Sequence, residues 1–341
     1  MKFLPLIAIV ILAACSSPSK EQESDESTSE LNVYSNRHYD ADQEALSRFT
    51  KETGIKINLV KAGADELISR LEMEGENSPA DVFITVDAAK LNRAKELGLF
   101  QSVEATTSNK SDFIDEDKQW YGITYRARVI AYDKSDVDPS ELSTYEDLAD
   151  PKWDDKVIIR SSSSAYNQSL LSSIIHASDR ETAKGWAQGI ANNMVREPKG
   201  GDRDQIKAMA SGVGDVAIVN TYYVGLLLNS ENEEEVKAGE SVGIFFPNQE
   251  GRGAHINISG IGVAKNAPNK ENAIKLIEFL TSEEIQKFYA SNSFEYPVHQ
   301  TVAPDSTVAQ WGTFKIDNLD FAKKTNMNED AVRIFDEVGW N

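Results

Sequence analysis

The chain has 341 residues and a formal net charge of −20, which argues against a nucleic-acid ligand because phosphate backbones need a basic surface. Its single cysteine excludes an intramolecular disulfide and a cluster of thiolate metal ligands. The length is natural for two domains, and the acidity permits a positively charged ligand.

The N-terminal segment predicts export and a lipid anchor. Lys2 and the apolar run "FLPLIAIVILAA" have the pattern of a signal peptide, and the run is too short for a permanent transmembrane helix. "LAAC" resembles a bacterial lipobox, in which cleavage precedes the cysteine and its sulfur takes a diacylglyceryl group. Residues 1–14 are then the signal peptide and Cys15 is the lipidation site; an ordinary secretory signal is the alternative. Residues 15–30 are polar and rich in Ser and Glu, which is typical of a flexible tether.

The first folded unit alternates strands and helices. Strands are predicted in "LNVYSNRHY", "IKINLVKA" and "ADVFITVD", and helices in "DADQEALSRFTKETG", "ADELISRLEME" and "AAKLNRAKELGLF". This alternation predicts right-handed crossovers and a largely parallel sheet. "GITYRARVIAYDK" then reads as a long extended segment with no helix attached, as expected of a connection between two lobes.

A second α/β unit follows. It contains the strands "KVIIR" and "GDVAIVN" and helices from about Ala165 to Ala177 and in "RETAKGWAQGIANN", "DQIKAMASG" and "TYYVGLLLNS". "VGIFFPNQ" predicts a second extended crossing, which leads to the strand "AHINISGIGVAK" and to two closing helical segments. We therefore expect lobe 1 to comprise residues 31–126 and 247–297, and lobe 2 residues 127–246 and 298–341. Hinged lobes of this kind close on a ligand.

Three strand-to-helix junctions carry a histidine and four tyrosines. His38 and Tyr39 occupy the first junction, Tyr166 the second, and Tyr222 and Tyr223 the third. Ligands of α/β proteins bind beyond the carboxyl ends of strands, beside helix N-termini. Because the first junction belongs to one lobe and the others to the second, these side chains can face one another across a cleft.

A tyrosine at a helix start often has only a packing role with its hydroxyl at the surface, but if these residues bind a ligand, their types favour two classes. Phenols ionise near pH 10, so as anions they need a strong cation, and iron(III) is the best candidate because Ca²⁺ and Mg²⁺ prefer carboxylates and carbonyls and Zn²⁺ prefers imidazole and thiolate. Alternatively, the aromatic rings can stack on a sugar or hold a thiamine-like or quaternary cation. The residues by themselves leave both classes open.

The chain resembles the iron(III)-binding proteins of bacterial ABC transporters, from about Leu31 to Asn341. These are class II periplasmic binding proteins with a transferrin-like lobe arrangement. The segments that carry the resemblance include "VYSNRHYDADQEALSRFTKETGIKI", "YRARVIAYDK", "SSSSAYNQSLLSSII", "GDVAIVNTYYVG" and "EFLTSEEIQKFYASNSFEYPV". The resemblance implies a two-lobed α/β fold joined by two extended hinge crossings.

Five metal ligands are implied by this resemblance. Tyr39, Tyr166, Tyr222 and Tyr223 match the phenolate ligands of the family branch that has "RHY" and an extra tyrosine in "YNQSL". His38 is the fifth ligand, and its ligation is variable. A sixth position can take water or carbonate.

The resemblance also bears on the neighbours of the metal. Another branch uses a glutamate ligand and a bound phosphate, but the corresponding segment "FITVDAA" has Val86 followed by Asp87, so that carboxylate ligand is absent here. Arg126 or Arg128 in "YRAR" would offset the excess phenolate charge, with Arg126 preferred; a surface or hinge salt bridge is the alternative for both.

The sequence as a whole predicts an exported, lipid-anchored receptor. It would face the periplasm or the cell exterior as a monomer, capture iron(III), and deliver it to an ABC permease and its ATPase. We expect no enzymatic activity, and structural or solvated roles for His176, His255 and His299. The alternatives are a receptor of the same fold for a small organic cation or phosphonate, and a secreted iron-dependent enzyme, which would usually leave several coordination positions open.

Overall fold

The structure, a computed structural model, describes residues 30–37, 39–317 and 327–341. The predicted lipidation site Cys15, the predicted tether up to residue 29 and the predicted ligand His38 lie outside these residues. The strands are β1 (Glu30–Ser35), β2 (Lys56–Lys61), β3 (Val82–Thr85), β4 (Trp120–Asp133), β5 (Val157–Ile158), β6 (Val216–Asn220), β7 (Val242–Phe245), β8 (Ile256–Val263) and β9 (Tyr296–Pro297).

The helices surround this sheet and agree with most of the predicted segments. They are α1 (Asp40–Thr53), α2 (Ala64–Glu74), α3 (Ala88–Glu96), α4 (Ala165–Ala177), α5 (Arg180–Asn192), α6 (Asp202–Met209), α7 (Thr221–Leu228), α8 (Glu233–Ser241), α9 (Lys270–Leu280), α10 (Glu283–Ser293), α11 (Ser306–Ala309) and α12 (Asn328–Val338). Within the described ranges, no helix has the length and apolar character needed to cross a membrane.

The sheet is mixed rather than largely parallel. Its order is β2-β1-β3-β8-β4-β6-β5, and β7 and β9 each pair with β4. β1 is parallel to β2 and β3, and β5 is parallel to β6, but β8 is antiparallel to both β3 and β4. The predicted parallel pairing is correct for β1 to β3 and wrong for the sheet as a whole. β8 follows β7 after a ten-residue connection, residues 246–255, that contains turns and no crossover helix, so it can pair antiparallel with β3 and β4.

Strand β4 joins the two parts of the molecule. Residues Trp120–Ala127 pair with β8, whereas Arg128–Tyr132 pair with β6. The partner of β4 therefore changes between Ala127 and Arg128. β7 and β8 both lie antiparallel along β4, so the chain crosses between the two parts of the sheet a second time, as expected from the sequence. This second crossing is interrupted by turns at residues 247–252 and is not extended throughout.

Three hydrophobic clusters fill the interior. One lies in the first part of the molecule and includes Phe49 and Leu276, and a second lies in the other part and includes Trp153 and Trp340. The third cluster contains side chains from both parts, among them Tyr222 of α7. The beginning of α7 thus lies where the two parts meet.

Candidate metal centre

The four tyrosines predicted at the strand-to-helix junctions lie together. Tyr39 is the N-cap of α1, Tyr166 is the second residue of α4, and Tyr222 and Tyr223 lie in the first turn of α7. The hydroxyl oxygen of Tyr39 is 2.9 Å from that of Tyr166 and 2.9 Å from that of Tyr222. Since Tyr39 follows β1 and the other three follow β5 and β6, the cluster joins both parts of the sheet.

Adjacent positions on α7 present both phenols to this cluster. The ring centroids of Tyr222 and Tyr223 are 4.0 Å apart with an interplanar angle of 31°, and the rings of Tyr39 and Tyr222 meet edge to face at 5.7 Å. On a strand, neighbouring side chains would point to opposite faces. The start of a helix allows two consecutive tyrosines to serve the same site.

The cluster is shielded from water but remains accessible from one side. Tyr222 is 1% exposed and Tyr166 is 7% exposed, whereas Tyr39 and Tyr223 are half-buried. A cavity of about 240 Å³ lies beside Tyr39 and Tyr222, with Arg203 in its wall. A small ion therefore has a route to the phenol oxygens.

Burial keeps the hydroxyls of Tyr39, Tyr222 and Tyr223 protonated in the absence of a cation. It raises the pKa of the Tyr39 and Tyr222 hydroxyls well above the usual value, and repulsion between neighbouring phenolates adds to this. Burial likewise raises the pKa of Tyr223 to about 12. The positive charge of Arg126 lowers the pKa of Tyr39 and Tyr222, but burial outweighs it. Only a strong cation can displace these protons near neutral pH.

Of the two arginines expected near the metal, Arg126 is the one that reaches a tyrosine oxygen. Its Nη2 lies 3.4 Å from the hydroxyl oxygen of Tyr166 and also donates to the carbonyl of Val86, while its Nη1 donates to the hydroxyl of Ser259. Its Nη1 lies 3.1 Å from a carboxylate oxygen of Glu295. The guanidinium is fully buried, so its charge acts on the phenols with little screening by water.

Arg128 is directed elsewhere. Its Nη1 is 2.6 Å from the carboxylate of Asp202, and its Nη2 donates to the side chain of Asn167 at 2.8 Å and to the carbonyl of Ile218 at 3.0 Å. These contacts connect β4 to β6 and to the starts of α4 and α6. The charge of Arg128 is thus compensated by Asp202.

The segment that carries a glutamate ligand in another family branch has no free carboxylate here. Val86 is buried and contributes its carbonyl to Arg126. Asp87 is the N-cap of α3, where it accepts the N–H of Ala89 at 2.8 Å, and it also accepts the side-chain N–H of Asn257 at 2.6 Å. The carboxylate of Asp87 is therefore engaged in the fold of this region.

The remaining histidines have the structural surroundings expected from the sequence. His255 is buried and its Nε2 is 3.1 Å from the hydroxyl of Ser169, while Nδ1 of His299 accepts the N–H of Thr301 at 3.2 Å. His176 is partly exposed near the end of α4. Over residues 30–37, 39–317 and 327–341, no three His, Cys, Asp or Glu side chains are grouped in a way that could hold a metal ion.

A buried group of charges behind Tyr39 was not predicted from the sequence. Arg37 pairs with Asp42 at 2.7 Å and with Glu295 at 2.9 Å, and Asp42 accepts the backbone N–H of Tyr39 at 3.3 Å. Arg37 is the first residue of the "RHY" triplet, which was the available signal for it. Glu295 lies more than 250 residues away along the chain, and no local pattern indicates its partner.

The sequence of this chain is similar to those of known solute-binding proteins. The model of the family of bacterial extracellular solute-binding proteins matches residues 77–325. The chain is 51% identical over 314 residues to iron uptake protein A1 of a Synechocystis strain, an alignment that covers 91% of this chain and 87% of that protein. Such coverage and identity are sufficient to establish the family.

Solved structures agree with the fold. A Trichodesmium protein (IdiA, FutA) in complex with iron and citrate matches with a TM-score of 0.84 and 48% identity, over 92% of this chain and 100% of that one. The ferric binding protein from Campylobacter jejuni matches with a TM-score of 0.87 and 45% identity, over 91% and 100% of the two chains. The two-lobed class II periplasmic-binding-protein fold is thereby confirmed. The chain belongs to the family of bacterial extracellular solute-binding proteins, and iron-uptake and ferric-binding proteins are among its relatives there.

Proposed function

We propose that this protein captures iron(III) between its lobes through tyrosine phenolates and delivers it to an ABC permease. One observation carries the proposal: the hydroxyl oxygen of Tyr39 lies 2.9 Å from those of both Tyr166 and Tyr222. Phenol oxygens gathered this closely suit a small trivalent ion that can displace several protons at once, and burial raises the pKa values of Tyr39, Tyr222 and Tyr223. The iron-binding relatives support the same ligand.

The ligands are Tyr39, Tyr166, Tyr222 and Tyr223, with His38 as a fifth whose ligation is variable. Water or carbonate completes the coordination. Arg126 offsets the excess negative charge of four phenolates, a role supported by its approach to Tyr166. Arg128 is less suited to that role because its hydrogen bonds go to Asp202, to Asn167 and to the carbonyl of Ile218 rather than to a tyrosine oxygen.

Closure and opening of the lobes control the site. Lobe 1 comprises residues 31–126 and 247–297, and lobe 2 residues 127–246 and 298–341. The change of partner along β4 between Ala127 and Arg128 supports the first of these boundaries. Closure assembles ligands from both lobes, and opening at the permease separates Tyr39 from the other three tyrosines and so releases the ion.

The protein acts outside the cytoplasm. The solute-binding family and the signal-like N-terminus support export. We propose that a lipid on Cys15 anchors the chain to a bacterial membrane, and that the monomer donates iron to a permease driven by its ATPase. Its function is binding and delivery rather than catalysis.

A visible spectrum tests the proposal directly. Purified protein is titrated with ferric citrate, and iron bound by phenolates should give a charge-transfer band that saturates at one iron per chain. If the natural ligand is instead an organic cation or a phosphonate, titration with that compound should release or absorb heat in a calorimeter and give no charge-transfer band. Absence of both the band and iron binding would contradict the proposal, and turnover of a substrate by the iron-loaded protein would favour a secreted enzyme.

A further inference from the structure

The carboxylate of Glu295 lies behind the tyrosine cluster, is buried from solvent, and borders the cavity beside Tyr39 and Tyr222. It follows Phe294, which ends α10 in the left-handed conformation at φ 55° and turns the chain toward β4. Glu295 is 0% exposed, and its Oε2 accepts the hydroxyl of Thr124 at 2.9 Å and that of Ser293 at 3.2 Å. Burial of an ionised carboxylate is costly unless it is paired.

Two arginines provide the pairing, and each leads to a different tyrosine. Arg126 lies 3.1 Å from Oε1 of Glu295 and 3.4 Å from the hydroxyl of Tyr166. Arg37 lies 2.9 Å from Oε2, and its guanidinium carbon is 5.2 Å from the ring centroid of Tyr39. Arg126 therefore lies between Glu295 and Tyr166, and Arg37 lies between Glu295 and Tyr39. The two tyrosines belong to different lobes.

The charges of this group balance. Arg37 and Arg126 carry two positive charges, and Asp42 and Glu295 carry two negative ones. When four phenols bind iron(III), four protons leave and an ion of charge +3 enters. The loaded site is therefore one charge unit more negative than the empty one. A carboxylate at this distance disfavours that change, whereas the arginines favour it.

We propose that Glu295 is a positioning and charge-setting residue that lowers the affinity for iron by neutralising the arginines behind the tyrosines. This inference rests on the proposed function. The carboxylate holds Arg126 in place toward Tyr166 and at the same time limits the attraction of Arg126 for phenolates. A receptor that must surrender its ion to a permease gains from such a limit, because release becomes easier when the lobes open.

The variant Glu295→Gln separates charge from geometry. The amide keeps the shape and an oxygen acceptor for Arg126 and Thr124, but it removes one negative charge. Iron should then bind about tenfold more tightly in competition with a chelator at a fixed pH. The charge-transfer band should move to shorter wavelength, because a less compensated Arg126 stabilises the electrons of the Tyr166 phenolate.

A chemically matched control lies elsewhere in lobe 1. The carboxylate of Glu74 pairs with Arg70 at 2.7 Å and accepts the hydroxyl of Tyr34 at 3.0 Å. Tyr34 is not in the predicted metal site, so Glu74→Gln removes the same charge beside an arginine and a tyrosine. Its iron affinity and band position should equal those of the wild type.

The outcomes are distinct. Unchanged or weaker iron binding by a folded Glu295→Gln variant overturns the inference, while wild-type binding with its colour leaves the proposed function intact. Failure of the wild type to bind iron overturns both. If Glu295→Gln does not fold, Asp42→Asn removes one negative charge from the same group and should tighten binding in the same direction; an unchanged or reduced affinity there also overturns the inference.

Discussion

The hydroxyl oxygens of Tyr39 and Tyr166 lie 2.9 Å apart although 127 positions separate the two residues in the chain. One follows β1 in the first part of the sheet and the other follows β5 in the second. Contact between them therefore depends on how the two lobes meet. This relationship makes the tyrosine cluster sensitive both to single substitutions and to the state of closure.

Removal of one hydroxyl of the tyrosine pair should disable iron binding. Tyr222→Phe and Tyr223→Phe each delete a predicted phenolate while keeping the ring that packs in the interior. We expect affinity to fall more than about 100-fold, since loss of an outer-shell partner of a metal site already costs 10- to 100-fold. Chelator competition and visible absorbance measure the effect.

Tyr296→Phe is the matched control for these variants. Tyr296 is buried, and among the described residues its hydroxyl has no hydrogen-bond partner. Its replacement should leave colour and affinity unchanged. Wild-type iron binding by Tyr222→Phe and Tyr223→Phe would show that the ligands are other residues.

His38→Ala should have a smaller effect than Tyr39→Phe. Four phenolates remain when the imidazole is removed, and a water molecule can take its position. We expect a modest loss of affinity and a retained charge-transfer band, measured in the same competition assay. A loss as large as that of the tyrosine variants would make His38 an essential ligand.

Iron affinity should fall as the pH falls. The pKa values of Tyr39 and Tyr222 are raised well above the usual value, and that of Tyr223 is about 12, so these phenols carry protons in the empty protein at neutral pH. Binding releases up to four protons, and mass action then weakens binding in acid. Competition titrations between about pH 5 and 7.5, corrected for chelator protonation and iron hydrolysis, measure the slope. A flat corrected affinity would exclude phenolate ligands.

Replacement of two helical glycines by alanine should change the free energy of unfolding in opposite directions. A Cβ on Gly225 of α7 would lie 2.6 Å from the Cβ of Phe294, so Gly225→Ala should destabilise the fold by about 1–3 kcal/mol and disturb the tyrosine pair. A Cβ on Gly185 of α5 would meet no described atom within 4 Å, and Gly185→Ala should stabilise by about 0.5–1 kcal/mol. Denaturant unfolding compares them, and equal effects would contradict this packing.

Cys15→Ser should abolish anchoring. The lipobox-like "LAAC" requires a sulfur for the diacylglyceryl group, and serine cannot replace it. Membrane fractionation should find the variant unprocessed or soluble, and mass spectrometry of the wild type should find a lipid on Cys15. A mature wild-type chain that begins beyond Cys15 without modification would refute the lipid anchor.

Local sequence pattern determined the elements and the positions of the tyrosines. The periodicity of "DADQEALSRFTKETG" predicted α1, the segment around Tyr166 predicted α4, and "GDVAIVNTYYVG" predicted β6 followed by α7, all in agreement with the structure. Helices and strands follow from spacings of a few residues, which are visible along the chain. The candidate residues could be located for the same reason, because they occupy the junctions between these elements, whereas their role as metal ligands was implied by the family resemblance.

Tertiary structure decided what depends on long-range pairing. The antiparallel insertion of β8, the choice of Arg126 over Arg128 as the neighbour of Tyr166, and the burial of Glu295 between two arginines all join distant segments. Arg126 and Arg128 lie two positions apart on one strand and so face the same side, and the sequence cannot tell them apart. The positions of Glu295 and Asp202, set by tertiary packing, direct Arg126 to the hydroxyl of Tyr166 and Arg128 to the carboxylate of Asp202.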